Sequence, residues 1–138
     1  MVINTKTDIK RNLNMPDNRT SKRRTGDRGE TLAAEMLEKA GYYIVERNFS
    51  CRIGEIDIIA AHPQDRVIAF AEVKTRNRLD YGLPCEAVGK DKQRKLKLCA
   101  QLWLKINHCY SYLQPRMDII EIIYKDGNAY GRHLKNAF

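Results

Sequence analysis

Charged side chains stand inside two segments of this sequence that are otherwise typical of buried β-strands. Residues 54–60 and 69–74 are strongly apolar, yet the first contains Asp57 and the second contains Glu72 and Lys74. Segments of this kind lie in the middle of a sheet, where carboxylates and ammonium groups are almost never buried without partners. The sequence therefore requires a fold that supplies partners for these three charges.

Apolar residues at helical spacing predict two long helices. The first covers residues 27–40 and ends at Gly41, which suits a left-handed cap. Glu30 lies one turn before the apolar stripe of this helix and on the same face. The second helix covers residues 90–108, and its inward stripe comprises Leu96, Cys99, Ala100, Trp103 and Leu104.

Four apolar segments predict strands, and they cover residues 42–49, 52–61, 67–75 and 117–124. The first three are joined by short connections, which favours an antiparallel meander. A loop rich in Gly and Pro, 77–89, precedes the second helix, and a turn at 126–128 precedes a short tail. The order αβββαβ predicts an α/β fold with a mixed central sheet flanked by helices.

Basic residues are concentrated near the N-terminus. Residues 1–28 hold eight Lys or Arg against three Asp, and so carry +5 of the net charge of +8. We interpret residues 1–24 as a disordered basic leader, which either stays solvated or folds onto a polyanion. Residues 25–138 are long enough to form one domain with its own core.

Cysteine spacing and hydropathy exclude several classes of protein. Cys51, Cys85, Cys99 and Cys109 form no C-x-x-C pair and no zinc-finger spacing. No apolar run approaches the roughly 20 residues that span a bilayer. We therefore expect reduced thiols, a cytoplasmic protein and no membrane partner.

Strand periodicity predicts where the charges point. Glu72 and Lys74 share one face of their strand, and Asp57 faces away from its neighbours Ile56 and Ile58. If the two strands pair, the Asp57 and Glu72 carboxylates approach and repel each other unless a cation lies between them. Mg²⁺ or Mn²⁺ suits this position, because Mg²⁺ takes hard oxygen ligands and keeps waters beside a phosphate.

This set of residues fits metal-dependent hydrolysis of phosphodiesters. Asp57, Glu72 and the backbone carbonyl of Val73 would hold the metal, which polarises a phosphoryl oxygen and acidifies a bound water. Lys74 would orient that water and offset the charge that develops on phosphorus. Glu30 is a further candidate ligand, directly or through water.

The second helix begins with a dense basic run. Lys92 lies one turn before Leu96 and should point inward, towards the edge of the sheet, where it would contact a phosphate. The alternative is a solvated helix face. Such contacts give affinity that depends on salt and little on base sequence. Further candidates for nucleic-acid backbone contacts are Arg76, Arg78 and Lys90, with Gln93 weaker.

Each candidate also has a structural alternative. The three strand charges could form a buried ion-pair cluster without a ligand. Glu30 could cap its helix or pair with a nearby Arg, and Glu55 could lie at a solvated edge. Asp118 is interpreted as a structural pair or a strand-end hydrogen bond, with a metal role as the alternative. Tyr81 is interpreted as a packing residue, with stacking on a base as the alternative. We assign no role to the three histidines.

Together these residues resemble the PD-(D/E)xK nuclease superfamily, in which a helix Glu, a strand Asp and Glu-x-Lys occur in αβββαβ order, with Holliday-junction resolvases as the nearest functional branch. The chain is also similar, from about Arg24 to its C-terminus, to the bacterial YraN-type family. The motifs that carry this similarity are Gly29-Glu30, Arg47-Asn48-Phe49, Gly54-Glu55-Ile56-Asp57, Glu72-Val73-Lys74-Thr75-Arg76, Gly82-Leu83-Pro84, Glu86-Ala87-Val88, Arg116-Met117-Asp118 and Asn136-Ala137-Phe138.

The resemblance implies a restriction-endonuclease-like fold and a nuclease dependent on Mg²⁺ or Mn²⁺. It assigns the catalytic roles to Glu30, Asp57, Glu72 and Lys74. The expected partner is nucleic acid, with DNA favoured, RNA left open, and recognition of structure more than of sequence. A homodimer is expected by analogy only. The alternative is a nucleic-acid-binding or assembly module that keeps the fold without catalysis.

Overall fold

The computed structural model describes residues 2–3, 21–77 and 88–138 of the chain. These residues form two helices, six strands and one 3₁₀ turn, His108–Tyr110. The other residues lie outside this description, among them Arg78, Tyr81 and Cys85. The elements follow one another as β1 (Val2–Ile3), α1 (Ser21–Lys39), β2 (Tyr43–Ser50), β3 (Glu55–His62), β4 (Val67–Asn77), α2 (Lys90–Ile106), β5 (Gln114–Lys125) and β6 (Asn128–Leu134).

One mixed sheet contains all six strands, in the order β1-β6-β5-β4-β3-β2. β2, β3 and β4 are consecutive antiparallel neighbours, so the predicted meander is confirmed. β5 lies parallel to β4, and the chain between them includes α2, the long connection that parallel strands need. The predicted α/β class with a mixed central sheet is therefore confirmed.

The C-terminal segment is more regular than the sequence analysis expects. Asp126 and Gly127 have φ values of 51° and 76°, which give the tight turn typical of hairpins. Beyond this predicted turn the structure has β6, antiparallel to β5, where the sequence indicates only a short tail. The strand is hard to recognise because its buried positions carry small or polar residues, namely Ala129, Gly131 and His133.

Helix α1 begins at Ser21, not at residue 27, so the boundary drawn at residue 24 lies inside a helix. Of the predicted leader, Val2–Ile3 pair with β6, and residues 4–20 lie outside the described part. The helix ends as predicted, because Gly41 has a φ of 96° and the Tyr42 N–H donates to the Leu37 carbonyl at 3.0 Å.

Apolar side chains pack in two layers, one on each side of the sheet. The layer against α1 includes Ala33, Met36, Leu37, Ile58, Ala60, Ala71, Ile120 and Ile122. The layer against α2 includes Ile56, Ile59, Phe70, Leu96, Cys99, Ala100, Trp103 and Ile119. The predicted stripe of the second helix is therefore buried, with Leu104 partly buried beside it.

Cys51 and Cys99 belong to the layer against α2, where their Sγ atoms lie 3.2 Å apart as free thiols. Burial is the main cause that raises the pKa of Cys99 to about 12. These two cysteines therefore serve as packing residues, as the apolar stripe of the second helix predicts for Cys99. Within the described residues, neither helix is both long and apolar enough for a membrane crossing.

A close contact between α1 and β4 fixes the position of the helix. A Cβ atom added at Gly29 would lie 2.2 Å from Thr75 Oγ1, so only glycine permits this approach. Gly29 is buried, and it directly precedes Glu30. The contact therefore determines how close Glu30 comes to the charged residues of β4.

We predict that Gly29→Ala lowers the free energy of unfolding by about 1–3 kcal/mol, because the methyl group overpacks the contact with Thr75. Gly26→Ala is the matched control. It lies in the same helix with nothing within 4 Å of its added Cβ, and should stabilise by about 0.5–1 kcal/mol. Urea unfolding of both variants measures the difference, and equal effects would contradict the proposed contact.

Candidate active site

The pairing of β3 with β4 ends at the predicted site. Backbone pairing extends from His62 opposite Val67 to Ile58 opposite Ala71 and stops there. Beyond this point the Asp57 Oδ2 atom accepts a hydrogen bond of 2.8 Å from the Val73 N–H. A carboxylate thus replaces the next main-chain partner of β4, which fixes Asp57 beside the Glu72-Val73-Lys74 segment.

The alternation expected around Asp57 is wrong in one respect. Ile58 packs in the layer against α1, whereas Ile56 packs in the layer against α2. Strand β2, which pairs with β3, also changes faces at this point. Asn48 of β2 has a φ of 54°, and its neighbours Arg47 and Phe49 face different helices. Simple alternation therefore fails on both paired strands at this point, and in β2 the left-handed Asn48 interrupts the regular strand geometry.

Glu72 is the buried acid of the site, with 6% of its surface exposed. Its Oε1 atom lies 3.4 Å from the Lys74 Nζ atom and 2.5 Å from the Lys92 Nζ atom. Lys92 therefore points inward to the edge of the sheet, as its spacing from Leu96 predicts. The structure brings Glu72, Lys74 and Lys92 together from one strand and one helix.

Asp57 and Glu72 are close enough to influence each other's charge. Burial and the nearby Glu72 carboxylate raise the pKa of Asp57 to about 7, although the hydrogen bond from the Val73 N–H opposes the shift. Glu30 adds to the same effect. Repulsion by Glu72 therefore contributes to the raised pKa of Asp57, and a cation between the two acids would relieve it.

Glu30 approaches Asp57 from α1, but it already has a cationic neighbour. The Arg47 Nη2 atom lies 3.8 Å from Glu30 Oε2, which matches the alternative that Glu30 pairs with an Arg. Burial raises the pKa of Glu30, and Arg47 partly offsets this increase. The sequence analysis assigns no role to Arg47, since its place on β2 gives no signal of contact with α1.

The residues predicted to contact a nucleic-acid backbone differ in their exposure. Lys90 is exposed at the start of α2. The Arg76 side chain is only 13% exposed, and its Nε atom lies 3.9 Å from Glu121 Oε1. Arg132 donates to the other Glu121 oxygen at 2.9 Å. Arg76 is thus part of a mostly buried ion-pair cluster and does not project freely from the surface.

Glu121 and Arg132 are site neighbours that the sequence analysis missed. Glu121 is 4% exposed and lies opposite Lys74 in the parallel ladder. It stands in the apolar segment 117–124, so the rule that singled out Glu72, a charge inside an apolar strand, could also have found it. Arg132 lies in β6, the strand that the sequence does not reveal.

Two weaker candidates have other positions. The Gln93 side chain donates to the Val88 carbonyl at 2.8 Å, so it closes the turn before α2. Glu55 is exposed at the start of β3.

Asp118 has the structural role expected of it. Its oxygens accept hydrogen bonds from Arg116, from His133 Nε2 at 2.7 Å and from the Asn136 N–H at 3.0 Å. Burial alone would raise the pKa of Asp118, but these donors together lower it. Asp118 is fully buried next to the α1 layer of the sheet, and this cluster also gives His133 a structural role.

The donor set for a metal consists of few groups. In the described ranges, no three His, Cys, Asp or Glu side chains are grouped so that they could hold a metal ion. The two neighbouring carboxylates, Asp57 and Glu72, remain as candidate ligands, and the Val73 backbone lies beside them. Two hard carboxylates and a carbonyl, completed by water and phosphate, suit Mg²⁺ better than a metal that needs a closed protein cage.

Comparison with known proteins places these residues in a shared family. The model of the uncharacterised protein family UPF0102 matches residues 29–122. A UPF0102 protein of Pelobacter propionicus is 45% identical over 124 residues, which cover 89% of this chain and 85% of that protein. One from Caldanaerobacter subterraneus subsp. tengcongensis is 46% identical over 104 residues, covering 75% and 83%. A third, from Clostridium botulinum strain Loch Maree, is 43% identical over 115 residues, covering 82% and 92%.

We predict that Asp57→Asn stabilises the metal-free protein at high pH. The folded pKa of about 7 exceeds the ordinary aspartate value of 3.8, so the wild-type protein loses stability as pH rises from about 4 to about 7, and the loss is complete above that range. The variant, which can still accept the Val73 hydrogen bond, should be more stable at about pH 8 by at least about 1.4 kcal/mol, the equivalent of one pKa unit, with a smaller gain at about pH 5.

Urea unfolding in EDTA across this pH range measures the effect. Glu38→Gln, an exposed carboxylate on α1, serves as the control and should follow the wild-type profile. An Asp57→Asn profile parallel to that of the wild type would contradict the raised pKa.

Proposed function

The chain belongs to the uncharacterised protein family UPF0102, which is restriction-endonuclease-like, and we propose that it is a metal-dependent endonuclease that hydrolyses DNA phosphodiester bonds. One observation carries the proposal: the Asp57 and Glu72 carboxylates meet, with Lys74, where β3 and β4 stop pairing. Burial and a second carboxylate raise the pKa of Asp57 to about 7, and a shift of this kind is typical of functional sites.

Asp57 and Glu72 would hold Mg²⁺ or Mn²⁺, with the Val73 carbonyl as a third ligand and Glu30 acting through water. The bound metal would polarise a phosphoryl oxygen and lower the pKa of a water molecule. The Val73 N–H already orients Asp57, so the chain itself positions this ligand. Glu30 is assigned the outer position because Arg47 competes for its carboxylate.

Lys74 lies two residues after Glu72 on β4. Its ammonium group is 3.4 Å from Glu72 Oε1, close to where a phosphate on the metal would sit. From there it would orient the attacking water and offset negative charge as it develops in the transition state. Its position is fixed by the strand, so the charge is oriented before the substrate binds.

Lys90 and Lys92 extend this positive region onto α2, where they would contact the nucleic-acid backbone. Lysines at phosphates position a nucleic acid without reading its bases, so we propose recognition of DNA structure over sequence. Phosphate contacts do not distinguish the sugar, and RNA therefore remains a competing substrate for the assay.

A second candidate is a nucleic-acid-binding or assembly module without catalysis. The observation that favours it is the full pairing of Glu72, whose Oε1 atom already has both Lys74 and Lys92 as cationic neighbours. A cluster of this kind is stable without a metal. The two candidates differ in whether the metal binds and whether Glu72 is required for binding.

We predict Mn²⁺-dependent cleavage of at least one among branched, single-stranded and duplex DNA. Asp57→Ala and Lys74→Ala should each lower the cleavage rate about 10²–10³-fold, the usual loss when one preorganised charged or hydrogen-bonding group is removed. Glu38→Ala and Lys105→Ala, exposed residues on α1 and α2, are matched controls and should retain the wild-type rate. Cleavage that is unchanged in the two site variants would exclude this active site.

Calorimetric titration with Mn²⁺ separates the two candidate functions. The nuclease proposal predicts binding to the wild-type protein that is lost in Glu72→Ala, because the variant removes a buried ligand. Absence of metal binding together with full DNA affinity in EDTA would favour the binding module. The Glu38→Ala protein controls for a general loss of negative charge.

A further inference from the structure

One oxygen atom of Glu72 is shared by two lysines. The Lys92 Nζ atom lies 2.5 Å from Oε1, and the Lys74 Nζ atom lies 3.4 Å from the same atom. The neighbouring Asp57 carboxylate also acts on Lys92. The site therefore contains two acids and two ammonium groups, and Lys92, which interacts with both acids, lies where a cation shared by them would bind.

The two lysines are attached differently. Lys74 is on β4, two residues from Glu72, and 25% of its side chain is exposed. Lys92 is in the first turn of α2, on a separate element, and 47% of its side chain is exposed. A lysine with a long flexible stem at a half-exposed position can turn its charged end towards solvent without disturbing the core. Lys92 is therefore the lysine that can leave Glu72.

We propose that Lys92 is a tethered counter-ion, which neutralises Glu72 in the metal-free protein and moves to a substrate phosphate when a divalent metal takes its place. This inference rests on the proposed function, because it assumes that the metal binds at Asp57 and Glu72. A dication and an ammonium group cannot share one carboxylate oxygen without strong repulsion. The released ammonium group stays within reach of a phosphate on the same metal.

This exchange couples metal binding to nucleic-acid binding. Each metal that enters releases one lysine for the phosphate backbone, so the metal increases affinity for DNA. By thermodynamic reciprocity, DNA increases affinity for the metal to the same degree. The free protein is correspondingly a weak metal binder.

The first test is calorimetric titration of Mn²⁺ into metal-free protein without DNA. Lys92→Met removes the competing ammonium group and should bind Mn²⁺ at least fivefold more tightly than the wild type. Lys95→Met is the matched control, because it removes the same charge from α2 three residues later. Lys95 pairs with Asp91 and not with Glu72. A Lys92→Met affinity no higher than that of Lys95→Met would overturn the proposal.

The second test measures the salt dependence of binding to duplex DNA, once in EDTA and once in Ca²⁺. For wild-type protein, the slope of log affinity against log salt should be steeper in Ca²⁺ by about one, the change expected for one additional phosphate contact. Lys92→Met should give equal slopes in the two conditions. Equal slopes for the wild type would contradict the movement of Lys92.

The outcomes distinguish this inference from the proposed function. If wild-type protein binds Mn²⁺ in a manner that requires Glu72, but Lys92→Met binds no more tightly, the metal site stands and only the role of Lys92 is wrong. If neither wild-type nor Lys92→Met protein binds Mn²⁺, both proposals fail together. Because Lys92 is half exposed and Glu72 keeps Lys74, the variant should remain folded, and its melting temperature checks this.

Discussion

Burial of the Glu72 carboxylate is the constraint on which the site depends. A charge that is 6% exposed in a central strand is unfavourable unless cations surround it, since the sheet offers little solvation there. Lys74 supplies one cation from the same strand, and Lys92 supplies another from α2. The arrangement of β4 against α2 is thus also the arrangement that makes Glu72 tolerable.

The topology explains why these groups meet at one edge. β4 and β5 are parallel, and the crossover through α2 returns over the sheet, so Lys92 comes to lie above the C-terminal half of β4. Ligands of open α/β sheets commonly bind beyond the carboxyl ends of parallel strands. Gly29 extends the same edge, because its contact with Thr75 brings the middle of α1, and Glu30, against the end of β4.

Much of this arrangement could be predicted from the sequence, because charges in apolar strands and spacing on helices are local signals. They indicated Asp57, Glu72 and Lys74 as neighbours, and the inward direction of Lys92. The pairing of Arg47 with Glu30 could not be predicted, since it depends on how β2 packs against α1. The position of Ile56 was predicted wrongly because alternation assumes a regular strand, and β3 changes faces at Asp57, beside the left-handed Asn48 of its neighbour β2. β6 was missed because its buried positions hold small or polar residues.

Asp118 and Asp57 show how a complete structural ion pair differs from the acid that we propose as a metal ligand. Asp118 receives donors at both oxygens from Arg116, His133 and a backbone N–H, and its pKa is lowered, as expected for a group whose charge is fully compensated. Asp57 receives a backbone N–H, but it faces a second carboxylate, and its pKa is raised. Burial opposes the charged form of both groups, so burial alone does not explain why their pKa values shift in opposite directions. The difference lies in compensation: donors surround Asp118, whereas Asp57 lies beside a second acid, whose repulsion the metal that we propose would relieve.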